Sequence, residues 1–381
     1  MAETLLSTAN ERQIWITKYF QEYVRNSRFM PYMSNADINK GGIILTKFQK
    51  EDEAFRTINI PFIARLKSLG VTGATVLDGA EEELTNFNCP ITIDWRRNGV
   101  RLPKSTTFRT EINLWDAAKD ALMVWESEKL RDDIIKALAH VIVDVNGTIV
   151  PFDQATAAQQ NTWVAANSDR VLFGHLKSNY NATFATALAN VGTASDKTSA
   201  TIMGLAKRIA KTADPHIRPY RVEDGDGREF YVAFHGSRTF RDLKADSTII
   251  TANTQARSRE GMGMEKNPIF QDGDLIYDGV IHREIPEIDA YCDACSANPN
   301  GGAAFDGAGA SSADVRPIFV CGGGAVGLAW GQEPTPRTDM IKDYGFRPGV
   351  AIEELLGVKK INFNGVQNGM VTVFVAAGAD S

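Results

Sequence analysis

The sequence predicts an α+β chain whose first hundred residues are largely extended and whose later part folds into mixed helices and sheets. Three observations carry this reading. Thr57–Ile63 and Ile91–Trp95 alternate apolar and polar residues, and a glycine-punctuated stretch, LKSLGVTGATVLDGAEEELTNFN, lies between them. Residues 113–140 form one unbroken amphipathic run, about 42 Å long as a helix at ~1.5 Å per residue. The region beyond residue 199 mixes helical and strand-like patterns and finishes on the β-branched run Met370-Val-Thr-Val-Phe-Val375.

Taken in order, residues 3–28 read as an amphipathic helix. Trp15, Ile16, Tyr19, Phe20, Tyr23 and Val24 share a face, which suits either a helix docked on its own domain or an arm on a neighbouring subunit. Pro31 and Gly41-Gly42 break the helix. Residues 43–104 are expected as two long antiparallel arms with a mobile tip at Gly70, Gly73 and Gly79. Pro61 requires an edge or a bulge, and Ile91, Ile93 and Trp95 share one face. A structureless loop of that length is usually functional.

Asn113 is a suitable cap for the long helix, with Asp116 three residues on. Leu114, Ala118, Ala121, Leu122 and Trp125 form its stripe, continued after a small drift by Leu130, Ile134, Leu138 and Val141. A shorter helix spans Ser199 to Lys211, and the two prolines of DPHIRP mark a boundary. RPYRVEDGDGREFYVAF reads as a hairpin turning at 224–227. Ser237 is expected to cap one helix through SRTFRDLKADSTIITANTQA. Residues 289–314, rich in Gly, Ala, Ser and Asn, read as a surface insertion. Lys359–Phe363, an Asn-Gly turn at 364–365 and the final strand close the chain.

Composition narrows the function classes. With 381 residues, 43% hydrophobic and 23% charged, the chain is an ordinary globular sequence long enough for two or three cores. A net charge of −6 argues against a cationic nucleic-acid binder, and no apolar stretch approaches the ~20 residues that span a bilayer. The N-terminus lacks the basic start and apolar segment of a signal peptide. Four cysteines make no disulfide framework and suit a reducing cytosol.

Candidate chemistry is thin. Gly322, Gly324 and Gly327 in VCGGGAVGLAW match the dinucleotide-binding pattern after a strand-like run, Arg316 to Val320. That site needs a following helix, and Gly331 with Glu333-Pro-Thr-Pro336 forbids one. The glycines are better read as a place where backbone packs close to a neighbour. Cys292-Asp-Ala-Cys295 has half a zinc knuckle's spacing, but His282 and Cys321 lie at irregular distances, so free loop thiols are expected. Asp224-Gly-Asp-Gly lacks the Glu that completes a calcium loop. The five histidines fall in no catalytic pattern, so no enzyme activity, cofactor or metal is expected. Glu81, Glu82 and Glu83 near the tip, against Arg96, Arg97 and Arg101 on the returning strand, give the arms opposite charges at their ends. One copy's acidic tip is thereby suited to another's basic base.

In their order, these elements resemble the major capsid proteins of tailed bacteriophages, the Hong Kong 97-type fold, in the branch of large podophages. PFIARLKSLGVTGATVLDGAEEELTNFNCPITIDWRRNGVR is similar to that family's extended loop, and INLWDAAKDALMVWESEKLRDDIIKALA to its spine helix. RPYRVEDGDGREFYVAFHGSRTFRDLKAD and NPIFQDGDLIYDGVIHREI resemble its axial domain, and FVCGGGAVGLAWGQ with DYGFRPGVAIEELLGVKKINFN its small-residue segment and closing strands. The resemblance implies an N-terminal arm (1–40), an extended loop (41–110), a peripheral domain with the spine helix (111–217), an axial domain (218–360) carrying the 289–314 insertion, and a C-terminal strand region (361–381). It also implies a non-enzymatic subunit of the icosahedral shell enclosing a double-stranded DNA genome. Such a subunit would form hexamers and pentamers, meet a portal and scaffold or decoration proteins, touch packaged DNA weakly and non-specifically, and bind no membrane. It would belong to the virion and assemble in the host cytoplasm. An encapsulin-like nanocompartment shell is the alternative of the same fold, and a dehydrogenase using Gly322–Gly327 the alternative of another class.

Overall fold

The computed structural model describes residues 29–35, 42–48, 56–73, 76–107, 114–221, 229–256, 274–339 and 342–380. The helix expected over 3–28, the cap Asn113 and the turn at 224–227 lie outside them. Extended chain dominates the early part: β1 (Met33–Asn35), β2 (Ile44–Phe48), β3 (Thr57–Ile63), β4 (Asn86–Thr92) and β5 (Asp94–Arg101). Helix α1 follows at Leu114–Ala139, then β6 (Val171–Phe173), α2 (Ala200–Thr212), β7 (Tyr220–Arg221) and β8 (Glu229–His235). Next come α3 (Ser237–Lys244), α4 (Ser247–Ala256), β9 (Asp274–Tyr277), β10 (Val280–Glu284) and α5 (Glu287–Ala294). The chain ends with β11 (Val315–Cys321), β12 (Val326–Asp339), β13 (Gly349–Lys360) and β14 (Met370–Ala376).

Two sheets organise the molecule. One has the order β1-β2-β12-β13-β5, and the other β9-β10-β8-β11-β14-β6 with β7 added to β8. Pro334 sits where the pairing of β12 with β13 slips between Gln332 and Thr335, because a proline offers no N–H to the ladder. The layers are built across the linear divisions read from the sequence. β12 and β13, from 218–360, share a sheet with β5, while β6 and β14 join β11 in the other.

Helix α1 spans 26 residues, about 39 Å at ~1.5 Å each. Its buried stripe is Ala118, Leu122, Glu126, Leu130, Ile134 and Leu138, whereas Ala121 is exposed. Four-residue steps advance about 40° around the axis, so the stripe winds. The first half packs on Val350 and Ile352, and the second enters the main core beside Phe29, Trp163 and Trp330. That rotation is the drift visible in the sequence, and it runs through a carboxylate, Glu126.

The larger sheet is covered on both faces. Ser199 caps α2 by accepting the Ile202 N–H, and Ile202, Ala206 and Ile209 pack against Val371, Val373 and Val375. On the other face Phe374 lies 5.1 Å from Phe173 and 5.3 Å from Phe184, ring to ring. β14, buried at every residue, is therefore a central strand.

Two expectations are corrected. Ser237 does not cap one long helix: Gly236 holds the cap position, Ser237 Oγ donates to Glu284, and the run divides in two. Asp246 causes the break, since its carboxylate accepts the N–H groups of Thr248 and Ala200. Nor is 289–314 a surface loop. It begins within α5, and both Cys292 and Cys295 are 0% exposed. Phe305 stacks on Phe152 at 4.3 Å. Arg316, buried on β11, is gripped by Asp293 and, at 2.7 Å, by Asp306. The thiols are free but belong to the core.

The glycine segment is the crossing from one sheet to the other. β11 ends at Cys321, β12 starts at Val326, and no helix follows the third glycine of the pattern. A Cβ on Gly322 would stand 2.2 Å from the Arg218 carbonyl oxygen, so the crossing requires a residue without a side chain at that position.

Candidate functional site

Of the arms expected over 43–104 only the inner parts form a hairpin, because β2 and β5 join the five-stranded sheet instead. β3 pairs antiparallel with β4 from Thr57↔Thr92 to Ile63↔Asn86, and Pro61 falls on a two-stranded element where both strands are edges. The hairpin base has a small core of its own: Ile60, Cys89, Ile91 and Ile93 pack with Leu45, Ala329 and Ile361. Phe62 stacks on Phe363 at 4.6 Å. Backbone proximity makes this docking possible, because a Cβ on Gly357 would meet Thr92 O at 2.3 Å.

Beyond the base the loop leaves its own core. Ile63, Leu66, Leu69, Val76, Leu77 and Leu84 are all exposed, an unusual density of apolar surface on one loop. The tip is held by polar contacts. Glu82 accepts the backbone N–H groups of Lys67 and Ser68 at 2.6–2.9 Å, and these hold its carboxyl below the usual range. Glu81 accepts the Gly79 N–H. Lys67 and Arg65 both reach Asp214. Glu83 is exposed and carries no ion pair among the described residues.

The three arginines of the returning strand have separate fates. Arg96 turns inward, binding Glu354 on β13 and Asp133 on α1, with its guanidinium 5.9 Å from the Trp125 ring. It is committed inside its own subunit, which corrects its assignment to the basic surface. Burial raises the Asp133 carboxyl, and Arg96 opposes that shift. Arg101 stands 3.7 Å from Asp339. Arg97 is exposed and finds no carboxylate among the described residues; Glu353, opposite it in register, pairs with Arg337. Trp95 does not continue the buried face of Ile91 and Ile93: it is 52% exposed, because the strand is interrupted at Ile93 and β5 pairs with a different partner from β4.

Several charged or polar groups of the interior carry no sequence signal. Lys360 is buried, donates to His140 O at 2.8 Å and lies 5.3 Å from the Trp163 ring; burial pushes its amine down to about 7. His235 and His282, from neighbouring strands, share a 2.9 Å hydrogen bond, and burial pushes His282 down to about 3. The two sit diagonally, two positions apart in the parallel register of β8 and β10, a relation that neither strand's own pattern displays. Arg316 was hidden by its place in an otherwise apolar strand. No helix of the described residues is long and apolar enough to cross a membrane.

Comparison with known proteins gives a consistent picture. A family described as "Phage capsid protein" matches residues 4–378. The chain is 26% identical to the major capsid protein of Pseudomonas phage KPP25 over 97% of its own length and 96% of that protein. Among solved structures, the capsid asymmetric unit of cyanophage Pam1 is 44% identical, with a TM-score of 0.84 and full coverage of both chains. The capsid of Ralstonia phage GP4 shares the fold at 20% identity, with a TM-score of 0.64 over 92% of this chain and 90% of that one.

Proposed function

Because the chain belongs to the phage capsid protein family, we propose that it is the major shell subunit of a tailed double-stranded DNA phage. It is a major capsid protein of the Hong Kong 97-type fold, built in many copies into the virion. Its work is structural. Hexamers and pentamers of this one chain, closed into an icosahedral shell, are the expected assembly, made in the host cytoplasm with a portal and scaffold or decoration proteins as partners. A mildly acidic subunit fits weak, non-specific contact with packaged DNA. The similarity runs to phage capsids, so an encapsulin-like shell is not favoured.

Residues 1–40 and 41–110 serve as the arm and the loop that reach other subunits. The five-stranded sheet with α1 takes the peripheral role, and the larger sheet the axial one. The observation that carries the reading is the division of the loop into a docked base and an outer part whose apolar residues are exposed among the described residues. A surface of that kind is stable in solution only when something covers it. Excising Gly70–Glu83 and joining the ends with a short glycine linker tests this. Closure entropy changes by only ~0.6 kcal/mol per doubling of loop length, so the subunit should keep its circular dichroism while particles fail to form. An excised subunit that unfolds, or one that assembles at wild-type yield, refutes the role given to the loop.

A further inference from the structure

The outer loop, residues 64–85, has little apolar contact to hold it. Leu66, Leu69, Leu77 and Leu84 are exposed, and the aliphatic core of the hairpin stops at its base. A cleft of about 180 Å³ lies between Pro61 and Phe62 of β3 and Pro215 and His216 of the segment after α2, so apolar packing does not close the hairpin onto that segment. Charged groups bridge the two instead. Among the described residues, the hydrogen bonds and ion pairs that residues 64–85 make outside the hairpin all end on one carboxylate, Asp214. Arg65 Nη2 stands 3.3 Å from it and Lys67 Nζ 2.6 Å.

Asp214 is a firmly held point. It follows Ala213, the buried C-cap of α2, and its N–H donates to the Asp169 carboxylate. The next carbonyl, that of Pro215, accepts from Arg170, a buried side chain that also donates to Gln367 O. Arg170 directly precedes β6, and its own carbonyl accepts the Thr372 N–H of β14, so these bonds fix Asp214 to the larger sheet. On the loop side the tie runs on. The Lys67 and Ser68 N–H groups donate to Glu82 on the returning limb. One chain of contacts, Asp214 to Lys67 to Glu82, thus joins both limbs of the loop to a different sheet from the one under the hairpin base.

The energetic scale suits a positioning role. A segment without apolar packing opens locally at a free energy near zero. Exposed ion pairs, negligible beside global stability, are therefore enough to decide how such a loop is populated. A loop already ordered loses less conformational freedom when its subunit is incorporated. We propose that Asp214 is a positioning residue for assembly, setting the direction in which the loop leaves its own subunit before any neighbour is present. The inference rests on the shell reading above and adds to it how the loop is prepared. Two long side chains can follow small tilts of the loop, so the anchor sets a mean direction without locking it.

Hydrogen exchange in unassembled subunits tests it. Asp214→Asn should lower the protection of the Lys67 and Ser68 amides about threefold, and Asp214→Glu should stay close to wild type. Arg65→Gln combined with Lys67→Gln leaves the surroundings of Arg170 intact and should lower protection at residue 68 to the same degree. Added salt should deprotect these amides in wild type, by screening, and leave Asp214→Asn unmoved, a response that a merely structural residue would not give. Asp214→Asn and the loop-side double variant should each raise the subunit concentration for half-maximal assembly about threefold, with circular dichroism unchanged. The proposal is overturned if protection in 64–85 ignores Asp214, if the salt response survives in Asp214→Asn, or if assembly keeps the wild-type concentration while protection falls. Particles forming normally in those cases leave the shell reading standing. A wild-type chain that forms no particles with scaffold supplied overturns the shell reading, and the role in assembly with it.

Discussion

Replacing Arg96 with Met is the sharpest test of how the loop is fastened to the subunit. Arg96 joins β5 to β13 through Glu354 and to α1 through Asp133. The two carboxylates differ in their access to water. The Glu354 side chain is 2% exposed, and that of Asp133 is about a third exposed, so water screens Asp133 and its loss of a partner counts for little. The cost therefore lies with Glu354, left as a buried anion without its cation, a situation that typically costs ~3–5 kcal/mol. Replacing Glu354 with Leu as well removes the stranded charge and should recover most of that loss, because a buried pair exchanged for apolar groups is often close to neutral. Urea unfolding of unassembled subunits would measure wild type, both single variants and the double, with the coupling taken from the cycle. A single Arg96→Met variant within ~1 kcal/mol of wild type, or a double variant no more stable than it, would refute the reasoning.

Three further outcomes are expected. Gly357→Ala places a methyl group 2.3 Å from Thr92 O and should cost ~1–3 kcal/mol, with chymotryptic cleavage at Phe62 and Phe87 rising as the hairpin base lifts; unchanged cleavage argues against close docking. Cys292→Ser buries a hydroxyl where a thiol sat in the core and should cost ~1–3 kcal/mol in thermal or urea melts, whereas a surface loop would show under ~0.5 kcal/mol. Lys360 is pushed from 10.5 to about 7 in the folded chain, so between those values the unfolded chain binds the extra proton and stability rises with pH. Lys360→Met should flatten that rise, and a variant keeping the full wild-type slope between pH 7 and 10 rules Lys360 out as its source.

Local patterning made the elements legible and left their partners hidden. The alternation of Thr57–Ile63, the helix beginning at Ser199 and the glycines before β12 each expressed a constraint that neighbouring residues impose, and each appears where it was expected. Residues 289–314 misled because small and polar residues suggest solvent, whereas here small residues let the chain lie against Phe152 and surround Arg316 with aspartates. Trp95 misled for another reason: a one-residue interruption of the strand at Ile93 resets the alternation, and periodicity gives no warning of it. Among the candidate contact residues, sequence placed acid at the tip and base on the strand. It could not tell Arg96, drawn inward by a carboxylate 258 positions away, from Arg97 beside it.

The hairpin's docked strands make the outer loop a lever whose fulcrum lies where the pairing ends, at Ile63 and Asn86. The paired strands stay packed against Phe363 and Ile361, so a rotation of ~5° where they end carries a point ~24 Å farther out on the loop through ~2 Å. Shifts too small to disturb the aliphatic packing around Ile91 thus become displacements as large as a hydrogen bond at the far end. Copies that meet neighbours at unequal angles can share one rigid spine and one sequence, taking up the inequality as a change of pitch at the fulcrum. The bulk of a substitution beneath the docked strands, at Gly357 above all, tilts that bed and is thereby multiplied along the loop and felt in the next subunit.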